Sequence, residues 1–326
     1  MEKWSIIRRE VKSYEGGIVM RGILSRLREM CRGLSRRDRL CLAGLSVLIV
    51  SLLLIPPIYS GGGYFVSPVE RDGVTFVTLD VGQSNAALMF SENAVFMVDT
   101  GSNAAEDTVV AALGYYGVRT IDGIFLTHED EDHAGGLDRI LEDATVKRLI
   151  LTGACYRILM KGAMRAAIEN SIRQKGTEIV FAECGKTLTY DTITAEVLFP
   201  VETAEGNDGS MVLRIVYGET AAIFLGDLEE EGENALYLRM LSLGKDIRAD
   251  MLMVAHHGAA TSSGGALLAM ISPRYAVISC GLDNAYGHPS ATVLDRLSFV
   301  GADVLRTDLL GTVVIRSDGK RMAYEK

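Results

Sequence analysis

Residues 127–136 read Thr127-His128-Glu129-Asp130-Glu131-Asp132-His133-Ala134-Gly135-Gly136, the densest run of metal-ligating side chains in the 326-residue chain. The run follows an apolar, β-rich stretch, IDGIFLT (121–127), and leads into a helical pattern. His128, Asp130 and Asp132 are spaced by two, so an extended loop turns all three to one side. His133 then folds back as the helix begins, and Gly135 and Gly136 permit close backbone approach there. Imidazole with carboxylate is a donor set for Zn²⁺, with Mn²⁺ as the alternative, and four such groups in six residues serve two ions. The bland reading is an acidic solvated loop with two incidental histidines. Such a loop seldom stands between an apolar strand and a Gly-Gly helix start.

The chain has five histidines, and the other three sit in comparable places. His256 and His257 end the run MLMVA (251–255) and precede Gly258. His288 lies in Asn284-Ala285-Tyr286-Gly287-His288-Pro289, where Pro289 suits the first turn of a helix. Asp227 closes the run AAIFLG (221–226). Each is weak alone: Gly-Asp turns are common, adjacent histidines can be structural, and a histidine before proline caps a loop as readily as it meets an anion.

Around these motifs, β-rich and helical patterns alternate. Short strands are predicted at 74–80, 86–90, 94–99, 121–127 and 146–152, with helices at 104–116, 136–142 and 157–174. The stretch 178–225 is strand-rich. Helices at 229–242, 265–271 and 290–298 then alternate with strands at 251–255 and 275–280, and two short strands close the chain. Antiparallel runs flanked by crossover helices point to two packed sheets with helices outside. The pattern alone supports one α/β or α+β domain.

Composition excludes several classes. At 48% hydrophobic residues the chain is too apolar for disorder, and five cysteines are too few for a disulfide scaffold. Cys31, Cys41, Cys155, Cys184 and Cys280 form no C-x-x-C pair, which removes zinc knuckles and dithiol redox motifs. Residues 1–40 hold 11 Lys and Arg against 5 Asp and Glu, a charge of +6, so the rest carries −15 of the net −9. So acidic a body argues against tight nonspecific nucleic-acid binding, which needs Lys and Arg on phosphates. Arg157, Lys161, Arg165, Arg173 and Lys175 could form a basic groove on the 157–174 helix, but a solvated helix face is the preferred reading.

From Leu40 to Val69 no residue is charged. Its core, residues 40–59, has the ~20-residue length of a membrane-crossing helix. Pro56 and Pro57 end it, and Gly61, Gly62 and Gly63 follow as a spacer. Arg26, Arg28, Arg32, Arg36, Arg37 and Arg39 hold the N-terminal side in the cytoplasm and place the body outside. The expected organisation is a basic cytoplasmic segment (1–39), a single-pass signal anchor (40–59), a linker (60–71) and a folded domain (72–326). A cleaved signal peptide fits less well, because the basic region is long and no A-x-A site follows.

Taken together, the motifs resemble the metallo-β-lactamase superfamily, whose signature H-x-H-x-D-H becomes His128-x-Asp130-x-Asp132-His133 here. Within it, the likeness is to the hydrolase domain of ComEC-type competence proteins and their stand-alone relatives. The further matches are LDVGQ (79–83), VDTG (98–101), Asn207-Asp208-x-Ser210, LGD (225–227), AHHG (255–258) and YGHP (286–289), in family order. The resemblance implies an α+β fold, a four-layer αββα sandwich, here preceded by one transmembrane helix. It implies that His128 and Asp130 bind one ion with Asp208, and that Asp132 and His133 bind a second with His256. Asp227 bridges both ions. His257 and His288 face the substrate, although the adjacency of His256 and His257 leaves open which one is the ligand. Asp80 and Asp99 orient the metal loop from outside the ligand set. The family's DVGQGD reads Asp80-Val81-Gly82-Gln83-Ser84-Asn85 here, and Ser290 stands where many relatives have a second histidine.

Two divalent ions about 3.5–4 Å apart bring the pKa of a shared water toward neutrality, giving hydroxide at working pH. The expected activity is therefore phosphodiester hydrolysis with Asp132, His257 and His288 as catalytic groups. The substrate is a phosphoester, either nucleic acid or a cell-envelope polymer. The alternatives are hydrolysis of a carbonyl ester, thioester or β-lactam on the same ions, or a non-catalytic competence-accessory binding module.

Overall fold

Val74 and Phe76 face one side of the first strand and Val77 the other, the two-residue alternation of an extended chain buried on both faces. That pattern recurs through the computed structural model, which describes Val69, residues 71–200 and residues 206–325. The first half runs β1 (Val74–Thr78), β2 (Ala86–Phe90), β3 (Val95–Thr100), α1 (Glu106–Tyr115), β4 (Thr120–Ile121) and β5 (Gly123–Phe125). It continues with α2 (Glu131–Ala134), α3 (Leu137–Asp143), β6 (Thr145–Val146), β7 (Arg148–Leu151), α4 (Gly153–Leu159), α5 (Arg165–Lys175) and β8 (Glu178–Phe181). The second half holds β9 (Thr187–Tyr190), β10 (Ile193–Phe199), β11 (Val212–Tyr217), β12 (Thr220–Phe224), α6 (Glu230–Leu243) and β13 (Met251–Met253). It ends with α7 (Gly265–Ile271), β14 (Tyr275–Ile278), α8 (Ala291–Phe299), β15 (Asp303–Arg306), α9 (Thr307–Leu310), β16 (Val313–Ser317) and β17 (Met322–Glu325).

One sheet is ordered β17-β16-β1-β2-β3-β5-β7-β8 and the other β15-β14-β13-β12-β11-β10-β9, with β4 and β6 as a small separate pair. Each sheet is antiparallel on one side and parallel on the other: β3, β5, β7 and β8 in the first, β12 to β15 in the second. The inner faces meet in a core that includes Phe76, Phe96, Phe125, Leu213, Phe224, Met251 and Val277. Phe76 and Phe224 touch across it with ring centroids 6.3 Å apart. Outside the first sheet, Val109, Leu137, Ile140 and Ile168 pack α1, α3 and α5 onto Val77, Met97 and Leu149. Outside the second, Leu236, Met240, Leu267 and Val293 bring α6, α7 and α8 onto Ile223, Leu252 and Ala276. The layers are αββα, as the motifs implied.

Several local expectations change. The predicted helix over 157–174 is two helices: the N–H groups of Lys161 and Gly162 turn back three residues, to Ile158 and Leu159, and close α4. The proposed basic groove weakens accordingly. Arg165 pairs with Glu169 at 2.8 Å, and Lys175 Nζ donates to the carbonyls of Leu141, Glu142 and Ala144 at the end of α3. The loop after His128 is not extended throughout, since Glu131–Ala134 form a helical turn. Pro289 stands before α8 rather than in its first turn, because Ser290 is the cap and its Oγ accepts the N–H of Val293. The anchor predicted at 40–59 lies outside the described residues, among which no helix is long and apolar enough to cross a membrane.

Candidate metal centre

The chain segments that leave β3, β5, β12, β13 and β14 at their C-terminal ends carry the site, the usual place for ligands in sheets with parallel strands. Gly135 and Gly136 let them close up. A Cβ on Gly136 would meet the Thr100 carbonyl oxygen at 2.4 Å, and one on Gly135 would meet the backbone N of Asn103 at 2.5 Å. The 128–136 segment therefore lies directly against the end of β3.

At the centre, one ligand atom each from Asp132, His133, Asp227 and His257 lies within 4.8 Å of the others. Each is held from behind. Buried Asp99 accepts the N–H and Oγ–H of Thr127, and its Oδ2 takes the Nδ1–H of His133 at 2.7 Å. His133 Nε2 then stands 2.9 Å from Asp227 Oδ1. His257 Nδ1–H donates to the Ser279 carbonyl at 2.8 Å, which leaves Nε2 facing Asp132 Oδ2 at 3.2 Å. Ser210 Oγ accepts the N–H of Asp227 and fixes the turn that carries it. His128 Nδ1 is 3.0 Å from Thr127 Oγ1, and its Nε2 points toward Asp130, 3.8 Å away.

These donors fit a divalent cation. His128 Nε2 is buried without a hydrogen-bond partner among the described residues, an arrangement that calls for an unseen partner. Burial, reinforced by the neighbouring His133, pushes the His128 pKa down to about 4, so at neutral pH it presents a lone pair. Burial opposes charge on His133 too, yet the carboxylates of Asp227 and Asp99 outweigh it and raise its pKa well above the ordinary histidine range. Burial works against ionisation of Asp227, but His133 overcomes it and holds that carboxyl far below the usual range. The space between these atoms favours positive charge.

The arrangement differs from the sequence-derived assignments at several positions. His257, not His256, belongs to the four-group cluster. His256 lies beside it, with Nε2 3.6 Å from Asp227 Oδ2 and Nδ1 3.3 Å from Glu229 Oε1. Asp208 turns away: its Oδ1 accepts the N–H of Glu229 at the start of α6, where a carboxylate suits the orphan N–H groups. Asp130 is more than half exposed, with His128 Nε2 3.8 Å away. Asp80 is exposed and does not join the hydrogen bonds around Asp99, while its own N–H donates to Thr312.

The cluster floors a cleft of about 430 Å³ lined by Gln83, Asp130, Glu131, Asp132, Asn207, Asp227, His256, His257, Tyr286 and His288. Gln83, the last residue of LDVGQ, has a defined job. Its Oε1 accepts the N–H of Gly281, so its Nε2 is the donor to His288 Nδ1 at 3.2 Å. Burial and the neighbouring His257 lower the His288 pKa, and the neutral ring held this way carries its proton on Nε2. Asn85, where the family reads Asp, donates to the Asp132 carbonyl through its N–H and sets Nδ2 3.3 Å from His133 Nε2. Glu229 gave no signal in the sequence, since its motif ends at Asp227.

Comparison with known proteins agrees with this geometry. The family model described as metallo-beta-lactamase superfamily matches residues 79–282. The chain belongs to that superfamily. Its members are generally metal-dependent hydrolases. Among curated relatives, the competence protein ComA of Neisseria gonorrhoeae is 32% identical over 77% of this chain and 33% of its own length. ComE operon protein 3 of Bacillus subtilis is 29% identical over 84% of this chain and 35% of its own. The chain thus spans about a third of these relatives. The metallo-beta-lactamase fold protein YhfI from Bacillus subtilis superposes with a TM-score of 0.51 at 12% identity, covering 75% of this chain and all of that one. At that identity the likeness speaks to the fold.

Proposed function

We propose that this chain is a metal-dependent phosphodiesterase acting on nucleic acid, anchored through residues 40–59 with its body on the outer side of the membrane. The observation that carries the reading is the convergence of Asp132, His133, Asp227 and His257 within 4.8 Å at the floor of an open cleft. Those four would hold one divalent ion, and His128 and Asp130 would hold a second with Asp227. When bound, such ions would supply the positive charge that polarises a phosphoryl oxygen and acidifies a water. The protein's own contribution is orientation. Asp99 and the Ser279 carbonyl fix the His133 and His257 rings, and Ser210 fixes Asp227. His288, kept as the Nε2–H tautomer by Gln83, is placed to donate to a phosphoryl or leaving oxygen at the cleft wall.

The relatives named for competence favour nucleic acid as the polymer, since competence is the uptake of DNA. The uncharged run with arginines before it supports the anchor and its orientation. The test is metal content together with turnover of bis-p-nitrophenyl phosphate by the wild type and by Asp132→Ala. The wild type should bind Zn²⁺ or Mn²⁺ and turn over the ester, and the variant should lose at least about 100-fold in kcat, the scale on which a missing electrostatic group is felt. Metal-free protein with the same background rate in both would refute the reading.

A further inference from the structure

Tyr286 is 74% exposed, one of the largest exposures among the apolar side chains of the body, yet it lines the cleft. One of its faces is covered, because the ring stacks on His288 with centroids 5.6 Å apart and planes 27° apart. His288 in turn stacks on His257 at 6.5 Å and 15°. His257, His288 and Tyr286 thus follow one another away from Asp132, and Tyr286, the last of them, leaves most of its surface open.

The loop that carries Tyr286 is rigidly clasped. Asn284 Nδ2 donates to the carbonyls of Gly281 and His288, Asn284 Oδ1 accepts the N–H of His288, and Gln83 holds Gly281. Tyr286 stands on this fixed loop and adds little to the core. It is a prepared flat surface at the edge of the catalytic cleft.

We propose that Tyr286 is a substrate-binding platform on which an unpaired nucleobase of single-stranded nucleic acid stacks, next to the nucleotide whose phosphodiester lies at the metal centre. The inference rests on the phosphodiesterase reading and narrows its substrate. Among phosphodiester polymers, nucleic acid is the one that brings an aromatic face with each phosphate. A base in a duplex is already stacked and paired, so only a single strand can offer one to Tyr286. The lining of the cleft gives a second reason. It contains no Lys or Arg among the described residues, so phosphates beyond the metal centre find no cation there and grip must come from stacking.

The experiment measures kcat and KM of the full-length chain, supplied with Mn²⁺ or Zn²⁺, on three substrates: a single-stranded oligonucleotide, the same sequence as a duplex, and bis-p-nitrophenyl phosphate. The wild type should prefer the single strand over the duplex by about tenfold or more. In Tyr286→Ala, the ratio of kcat/KM for the single strand to that for bis-p-nitrophenyl phosphate should fall about tenfold, mainly through KM, as expected for one lost stacking contact. Tyr286→Phe keeps the ring and should restore the wild-type ratio. A ratio in Tyr286→Ala equal to the wild type's overturns the platform and leaves the phosphodiesterase reading standing, as does a preference for duplex. Failure of the wild type on bis-p-nitrophenyl phosphate as well would instead remove the reading on which the platform rests.

Discussion

Asp99 shows what a single side chain does at this site. It sits at φ 57°, a left-handed backbone conformation uncommon outside glycine, and this places its carboxylate under Thr127 and His133. Asparagine is nearly the same shape but offers one accepting oxygen and an NH₂ that cannot receive the His133 proton. Asp99→Asn should therefore leave the fold intact and weaken metal binding about 10–100-fold, as loss of a ligand's supporting hydrogen bond does elsewhere. Competition with a chromophoric chelator measures it, and wild-type affinity in the variant would remove Asp99 from this role. At this scale the sequence was only partly legible. The period-two spacing of His128, Asp130 and Asp132 found the loop, but the choice between His256 and His257 followed no periodicity. Both are left-handed, at φ 51° and 54°, so neither helix nor strand geometry says where their rings point. At Asp208 the start of α6 draws on the same carboxylate, which no motif reveals.

Among the elements, α6 holds the segment behind AHHG. Glu233, 3% exposed, accepts the N–H groups of Ser263 and Gly264 at 2.6 Å each, while Arg296 from α8 donates to the carbonyls of Ser262 and Ser263. Burial raises the Glu233 pKa to about 7 against these N–H groups and Arg296, all of which favour the ionised form. A carboxyl that stays protonated in the fold after it has ionised in the unfolded chain makes the fold bind an extra proton. Stability from this group is therefore greatest below its ordinary value of 4.5, falls as pH rises to about 7, and is flat above. The full difference is about 3 kcal/mol. Glu233→Gln cannot ionise, so its urea midpoint should decline less between pH 5 and pH 8 than that of the wild type. Parallel declines would show that Glu233 titrates normally. The sequence predicted α6 within a residue at each end, where Gly244 in a left-handed conformation closes it. It missed the break between α4 and α5 at Gly162, since the apolar pattern carries straight through 157–174.

On the scale of the molecule, the αββα order was legible because each half alternates β-rich and helical segments and each inner strand is apolar on both faces. What the pattern did not contain is the meeting of the halves. Asp132 and His133 come from the sheet of β1 to β3, and Asp227 and His257 from the sheet of β12 to β14. A cation held by all four would tie together two sheets that otherwise meet mainly through apolar side chains. Without it, Asp99, Asp132 and Asp227 crowd around a single strongly charged imidazole. An ion that binds the fold but not the unfolded chain stabilises it by about 2.7 kcal/mol at a hundred times its dissociation constant. For a domain of this size that corresponds to a rise in Tm of about 5–10 °C. Calorimetry of chelator-treated protein, with and without added Zn²⁺ or Mn²⁺, should show that rise in the wild type. It should shrink by at least half in Asp132→Ala, in which only one sheet-bridging carboxylate remains. The comparison separates a tie at this centre from nonspecific ion effects, which would move both proteins equally; equal shifts would mean that the four side chains do not share an ion.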